Sequence, residues 1–321
     1  MKVLVTGATG LMGRRTADRL IRRGDELTVL QRRPARLDAR EILGDVTDVD
    51  LVRDACRGQD VVLHLAAKVD AFGEWTDFER VNVSGTAAVL DGCRAAGVGR
   101  LVHVSSPSVA HGGHDLVGVG PEPAEPAAAG GHYARSKAIA EIAALAADDP
   151  GLAVLVIRPH LVWGPGDTQL VARIIDRARS GRLPLIGNGA ALIDSTYVDN
   201  AADAMVAAVD RVGAVHGEAL VVSNGEPRPV GEILRRICSA AGVPGPRGRV
   251  PAGLAAAAGA LVERVWRTGL VSGEPPLTRF LAEQLSTAHW FDQRRTREVL
   301  GWAPAISIDE GFRLLAASYR A

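Results

Sequence analysis

Lys2-Val3-Leu4-Val5-Thr6-Gly7-Ala8-Thr9-Gly10-Leu11-Met12-Gly13 opens the chain, and a helical pattern follows it through Arg23. A short β-branched strand, a glycine turn and a helix are the parts that hold a dinucleotide pyrophosphate. Gly7 permits the tight turn, Gly10 lets backbone approach phosphate, and Gly13 brings the helix close to the strand. Thr9, Leu11 and Met12 complete the turn, where the helix N-terminus offers unpaired N–H groups and partial positive charge to an anion. The spacing is G-x-x-G-x-x-G.

Outward from that stretch, strand patterns at 26–31, 40–43, 60–65, 100–105 and 152–157 alternate with helical patterns at 48–57, 76–96 and 133–147. This rhythm predicts an α/β fold, a doubly wound parallel sheet of the Rossmann type, over residues 1–158 with a return segment at about 190–224. The Gly-, Pro- and Ala-rich segment 112–131 reads as a loop over the site. After Arg158-Pro159 the rhythm loosens into helical patterns at 168–180, 199–211, 230–241, 253–267 and 308–318. Residues 159–189 and 225–321 are therefore expected to form a smaller, mostly helical C-terminal cap that receives the substrate.

Lys plus Arg and Asp plus Glu balance at 37 each, so no net field draws nucleic acid. The only lysines are Lys2, Lys68 and Lys137. Cys56, Cys93 and Cys238 lie far apart, with neither metal-ligand spacing nor a disulfide frame, which makes a reducing cytoplasm the expected compartment. The first strand begins at Lys2, leaving no room for a signal peptide, and the longest apolar run, 254–262, is too short to span a bilayer. The helix over 253–267 could still rest on a membrane interface, although its apolar face is mostly alanine.

In a dinucleotide fold an acidic residue commonly ends the second strand and accepts the ribose hydroxyls of NAD. Here the strand runs out into Gln31-Arg32-Arg33-Pro34. Two guanidiniums suit the extra phosphate of NADP(H) instead, Arg32 first and Arg33 second. Asp45 and Val46 follow the third strand beside the adenine, with Asp48 the expected helix N-cap. Leu65, Ala66, Ala67 and Lys68 continue the cofactor wall after the fourth strand. His64, inside that strand, reads as a packed core histidine.

Ser105-Ser106 ends the fifth strand, and Tyr133-Ala134-Arg135-Ser136-Lys137 opens a helix. Residues four apart share a helical face, so an ammonium at Lys137 can lower the pKa of the Tyr133 phenol, ordinarily about 10. A phenol so tuned gives or takes a proton, and Ser106 can hold the carbonyl oxygen that receives it.

These residues resemble the extended short-chain dehydrogenases/reductases over nearly the whole chain. The resemblance is carried by the glycine turn, Leu65-Ala66-Ala67, Val81-Asn82-Val83-Ser84-Gly85-Thr86, the Ser/Tyr/Lys set and Arg158-Pro159. It implies that Ser106 rather than Ser105 is catalytic beside Tyr133 and Lys137, that Asn82 supports the site, and that Pro159, His160 and Leu161 flank the nicotinamide. It also implies a homodimer through the 76–96 and 133–147 helices.

The stretches Arg158 to Asp167 and Leu192 to Asn200 are similar to the 3β-hydroxysteroid dehydrogenase branch, which includes the sterol-4-carboxylate 3-dehydrogenases. The stretches 160–167 and 223–227 and the tail 273–292 are most similar to the bacterial 2-alkyl-3-oxoalkanoate reductases of long-chain olefin biosynthesis. That likeness implies NADPH-dependent reduction of a lipid-like keto acid, with other enzymes of the same pathway as possible partners. His160, Trp163 and Arg279 join Ser106 as the expected substrate contacts, His160 and Arg279 being nominated for the carboxylate. Three other readings remain: a hydroxysteroid or sterol-carboxylate dehydrogenase, a nucleotide-sugar epimerase or dehydratase, and a non-catalytic NADP(H) sensor. No metal is expected.

Overall fold

Seven strands form one parallel sheet: β1 (Lys2–Thr6), β2 (Glu26–Gln31), β3 (Arg40–Leu43), β4 (Val61–His64), β5 (Arg100–Val104), β6 (Ala153–Pro159) and β7 (Glu218–Val222). Their order across the sheet is β7-β6-β5-β4-β1-β2-β3. The computed structural model describes every residue except Ala71, Gly269, Ser272, Glu274 and Ala321. Glu274, part of the tail stretch quoted above, therefore lies outside the described residues.

Register pairs Val3 with Leu27 on one side and Val61 on the other, and Val5 with Val29 and Leu63. The strands are buried on both faces, which is why they read as near-continuous apolar runs. One face packs on the helices Leu11–Arg23 and Val198–Arg211, the other on Val49–Cys56, Gly85–Ala96 and Gly131–Ala146. From β1 the chain winds one way to β2 and β3, and from β4 it winds the other way. That reversal opens a crevice beyond the carboxyl ends of β1 and β4.

The structure differs from the sequence reading in three places that bear on the site. Within the expected 112–131 loop, Leu116–Val119 is a strand, paired in parallel with His289–Phe291 in a four-stranded sheet that also holds Leu192–Ile193 and Arg228–Pro229. Gly118 makes this possible: its φ is +66°, and a Cβ there would lie 2.8 Å from the Trp290 ring. The mostly helical C-terminal part is thus braced by short strands that the sequence reading did not place. Last, the expected helix over 76–96 is broken into Trp75–Phe78, a π-helical turn at Glu79–Ser84 and Gly85–Ala96, and the π turn carries the buried Asn82.

The helix bearing Tyr133 is fastened to the sheet by a buried ion pair. Arg158 at the end of β6 donates through Nε to Glu141 at 2.9 Å and through Nη2 to its other oxygen, and Nη1 donates to the Glu122 carbonyl at 2.7 Å. Removing one member of such a pair strands the other charge. Glu141→Gln is expected to cost about 3 kcal/mol in urea unfolding, and a loss under about 1 kcal/mol would show that this clamp contributes little.

Candidate active site

The crevice at the switch point continues under the C-terminal part as a single cavity of about 1160 Å³. Its walls contain Gly7, Thr9, Gly10, Leu11, Met12, Gly13, Arg32, Arg33, Asp45, Val46, Leu65, Ala66, Ala67, Ser105, Ser106, Tyr133, Lys137, Pro159, His160, Leu161 and Trp163. Of the cofactor, catalytic and substrate residues expected from sequence, Lys68, Asn82 and Arg279 stand outside these walls.

At the glycine turn, a Cβ on Gly13 would sit 2.3 Å from the Gly7 carbonyl oxygen, so only glycine lets helix and strand meet. Gly7 has φ +80°. No side chain caps the helix at Gly10, which leaves its first N–H groups facing the cavity. Two buried polar side chains in the wall also lack partners, the Ser105 hydroxyl and both amide atoms of Gln31. A cradle with no cap and unpaired donors fits a dinucleotide. Arg32 and Arg33 line the same end, and neither pairs with a carboxylate among the described residues. Asp45 accepts from Thr47 N–H at 3.0 Å and pairs with Arg80 at 3.4 Å, while Asp48 caps the following helix through Leu51 N–H.

His64 is a core residue as expected, held between the Thr6 hydroxyl at 2.8 Å and the Thr86 hydroxyl at 3.1 Å. Asn82 acts from behind the wall. It accepts from Lys68 N–H at 2.7 Å, donates to the Lys68 carbonyl at 3.0 Å, and donates to Ser136 Oγ at 2.9 Å. Ser136 in turn donates to the Tyr133 carbonyl. Asn82 therefore ties the segment after β4 to the first turn of the Tyr133 helix. The Lys68 ammonium is turned away to Asp70 at 2.9 Å and lies over the Phe78 ring.

At the centre, Tyr133 and Ser106 share the cavity wall, near enough for Ser106 to favour the phenolate form of Tyr133. Ser106 Oγ accepts from Ser108 N–H at 3.2 Å and from the Ser108 hydroxyl at 2.9 Å, whereas Ser105 Oγ has no partner. Burial raises the Tyr133 phenol above its ordinary range, with the Ser106 contact pulling the other way. This corrects the expectation that Lys137 acidifies it: the Lys137 Nζ donates to the Val104 carbonyl at 2.5 Å. Burial brings Lys137 itself down to about 8, opposed by the charge of Glu141.

His160 gives its Nδ1 to the Asp194 carbonyl at 2.8 Å, and burial drives it down to about 4. It is neutral at physiological pH and its one N–H is already given to the Asp194 carbonyl, so it offers a carboxylate neither charge nor donor. Trp163 is fully buried, bonded to Ser195 Oγ at 2.9 Å and stacked on Phe312. It belongs to the core beneath the cavity more than to its surface. Arg279 lines a separate small cleft and pairs with Glu283 at 2.7 Å. Leu161 is one of two non-glycine residues with positive φ among those described, at +40°, a strained position in the cavity wall.

Sequence reasoning missed His111, Gln284 and His289, which also line the cavity. Segment 277–285 gives the cavity an apolar wall through Phe280, Leu281 and Leu285, joined by Ile174, Ile193, Val230, Ile233 and Leu234. The 252–266 helix does not reach the cavity, and its Leu254 and Leu261 are exposed. Among the described residues no helix is long and apolar enough to cross a membrane, and no cluster of side chains could hold a metal ion.

The chain is 42% identical over 330 residues to the 2-alkyl-3-oxoalkanoate reductase of Stenotrophomonas maltophilia (strain K279a), covering 99% of each chain. It is 28% identical over 328 residues to the sterol-4-alpha-carboxylate 3-dehydrogenase, decarboxylating, of Mus musculus, covering 99% of this chain and 91% of that one. Among solved structures, MoeE5 in complex with UDP-glucose and NAD has a TM-score of 0.75 at 25% identity, over 100% of this chain and 99% of that one. Residues 3–223 match the family described as NAD dependent epimerase/dehydratase. The chain belongs to that family, among the extended short-chain dehydrogenases/reductases, and is a nicotinamide-dependent oxidoreductase acting at hydroxyl and keto groups.

Proposed function

We propose that this chain uses NADPH to reduce the 3-keto group of a 2-alkyl-3-oxoalkanoic acid to the 2-alkyl-3-hydroxy acid, as a step in long-chain olefin biosynthesis. The observation that carries the reading is the meeting of Ser106, Tyr133 and Lys137 in one cavity, between an uncapped glycine turn and a wall of Ile, Val, Leu and Phe side chains. The full-length likeness to 2-alkyl-3-oxoalkanoate reductases supports the substrate class.

The dinucleotide, when bound, supplies the hydride. Gly7, Gly10 and Gly13 admit its pyrophosphate, Arg32 and Arg33 receive the adenosine phosphate, and Lys137 serves the nicotinamide ribose. Ser106 donates to the ketone oxygen and stabilises the charge that develops there, and Tyr133 delivers the proton. A phenol raised by burial stays protonated through neutral pH, the state a proton donor in reduction requires. The aliphatic wall takes the alkyl chains. A β-keto acid readily loses CO2, so prompt reduction also preserves the carboxylate.

The test is cofactor oxidation over a panel of freshly prepared 2-alkyl-3-oxo acids of increasing chain length, with steroid ketones as a second arm. Turnover confined to the steroid arm would transfer the assignment to a hydroxysteroid dehydrogenase. On the cofactor side, Arg32→Ala is expected to shift the ratio of kcat/KM for NADPH over NADH by at least about tenfold toward NADH. An unchanged ratio removes Arg32 from phosphate recognition.

A further inference from the structure

The carboxylate of such a substrate has no cationic partner in the part of the cavity where its alkyl chains would lie. The positive side chains in the walls are Arg14, Arg15, Arg32 and Arg33 beside the glycine turn and Lys137 beside Tyr133. Among the described residues, the wall from Ile193 onward contains no lysine or arginine. Arg279, the sequence's nominee, is committed to Glu283 in another cleft.

Two histidines occupy this place. His111 follows the short 3-10 turn Pro107–Ala110 that begins at Ser106, so it stands one turn from the group holding the ketone oxygen. His289 starts the strand His289–Phe291, which pairs with Leu116–Val119 just beyond His111. Their Nε2 atoms are 2.7 Å apart, so one proton lies between them, one ring donating and the other accepting. The Thr287 hydroxyl lies 2.9 Å from His289 Nε2 and Gln284 Nε2 lies 3.2 Å from His111 Nδ1. His289 Nδ1 has no partner although the residue is 1% exposed, and the His160 ring is 5.8 Å away. An unpaired buried nitrogen in a cavity wall is costly unless something polar arrives to meet it.

We propose that His111 and His289 together form the seat of the substrate carboxylate, and that a proton enters with the acid. This deepens the keto-acid reading above and rests on it. The pair is uncharged by itself: burial holds His289 down at about 2 and also lowers His111. Around the pair, His114 and His160 oppose a positive charge, while Glu283 from the adjoining helix and Asp115 from the following loop favour one on His111; Asp194, whose carbonyl holds His160, completes the surroundings. A carboxylate set against the pair supplies the missing counter-charge, so the imidazole that faces it becomes the better base and is protonated on binding.

The experiment compares a 2-alkyl-3-oxo acid with the ketone it yields by decarboxylation, which has the same chains and no carboxylate. In His289→Gln and, separately, His111→Asn, the ratio of kcat/KM for acid over ketone is expected to fall about tenfold to a hundredfold. Calorimetry on the complex with oxidised cofactor, in buffers of different ionisation enthalpy, is expected to read uptake of close to one proton with the 2-alkyl-3-hydroxy acid. It should read none with the matching alcohol, and uptake should vanish in both variants. Thermal unfolding establishes that each variant folds, and either one alone suffices for the test. Wild-type turnover of the acid together with an unchanged acid-to-ketone ratio, or binding without proton uptake, overturns the histidine seat and leaves the keto-acid reading standing. Failure of the wild type to reduce any acid in the panel overturns both.

Discussion

Tyr133→Phe is expected to lower kcat by about two to four orders of magnitude while leaving dinucleotide affinity nearly unchanged. The substitution removes one oxygen and keeps the ring that fills the first turn of Gly131–Ala146. The Asn82–Ser136 contacts reach the Tyr133 backbone and survive it. What disappears is the hydroxyl that shares the cavity wall with Ser106, the phenol beside the reacting carbon in this reading. Cofactor fluorescence titration checks the binding half of the expectation and single-turnover reduction checks the chemical half. Retention of more than about a tenth of wild-type turnover would remove Tyr133 from proton transfer. A Ser106→Ala variant should lose less, because Tyr133 can still protonate an oxygen that is less well held.

What the sequence made legible follows from the range of the interactions. The glycine turn, the Asp48 cap and the Tyr133/Lys137 pair are local patterns, and local geometry reads directly from spacing. The aliphatic wall was poorly legible: the apolar segment 277–285 lines the cavity, whereas the equally apolar 252–266 helix points its leucines outward, because periodicity reveals that a face is apolar but not what it meets. His111 and His289 were invisible, being 178 residues apart and joined only by the pairing of two short strands, one of them inside a Gly- and Pro-rich segment that reads as loop. The protonation states were also out of reach. Spacing placed Lys137 beside Tyr133, but burial and the Val104 carbonyl decide where its charge is used.

Those same enclosed side chains predict acid lability. Burial holds His64 down at about 3, His160 at about 4 and His289 at about 2, and holds His103 well below the ordinary 6.5. A base depressed in the folded state binds fewer protons there than in the unfolded chain. Its contribution to stability is whole above pH 6.5 and drains away as the pH falls, at about 1.4 kcal/mol per pH unit for each group. By pH 5 the three with stated values together withdraw about 6 kcal/mol, an amount comparable with the whole stability of an ordinary domain. Asp194 works in the opposite sense. Burial raises it to about 6, so the folded state gains on protonation, returning about 1.4 kcal/mol between pH 6 and 5. The balance favours unfolding. Urea midpoints measured at pH 7.5, 6.5, 5.5 and 4.5 are expected to hold steady across the first interval and then collapse, and a flat series down to pH 4.5 would overturn the expectation. His103→Leu isolates one term. Both His103 nitrogens are buried without a partner inside the sheet, so leucine should raise stability at neutral pH and reduce the acid slope by one proton.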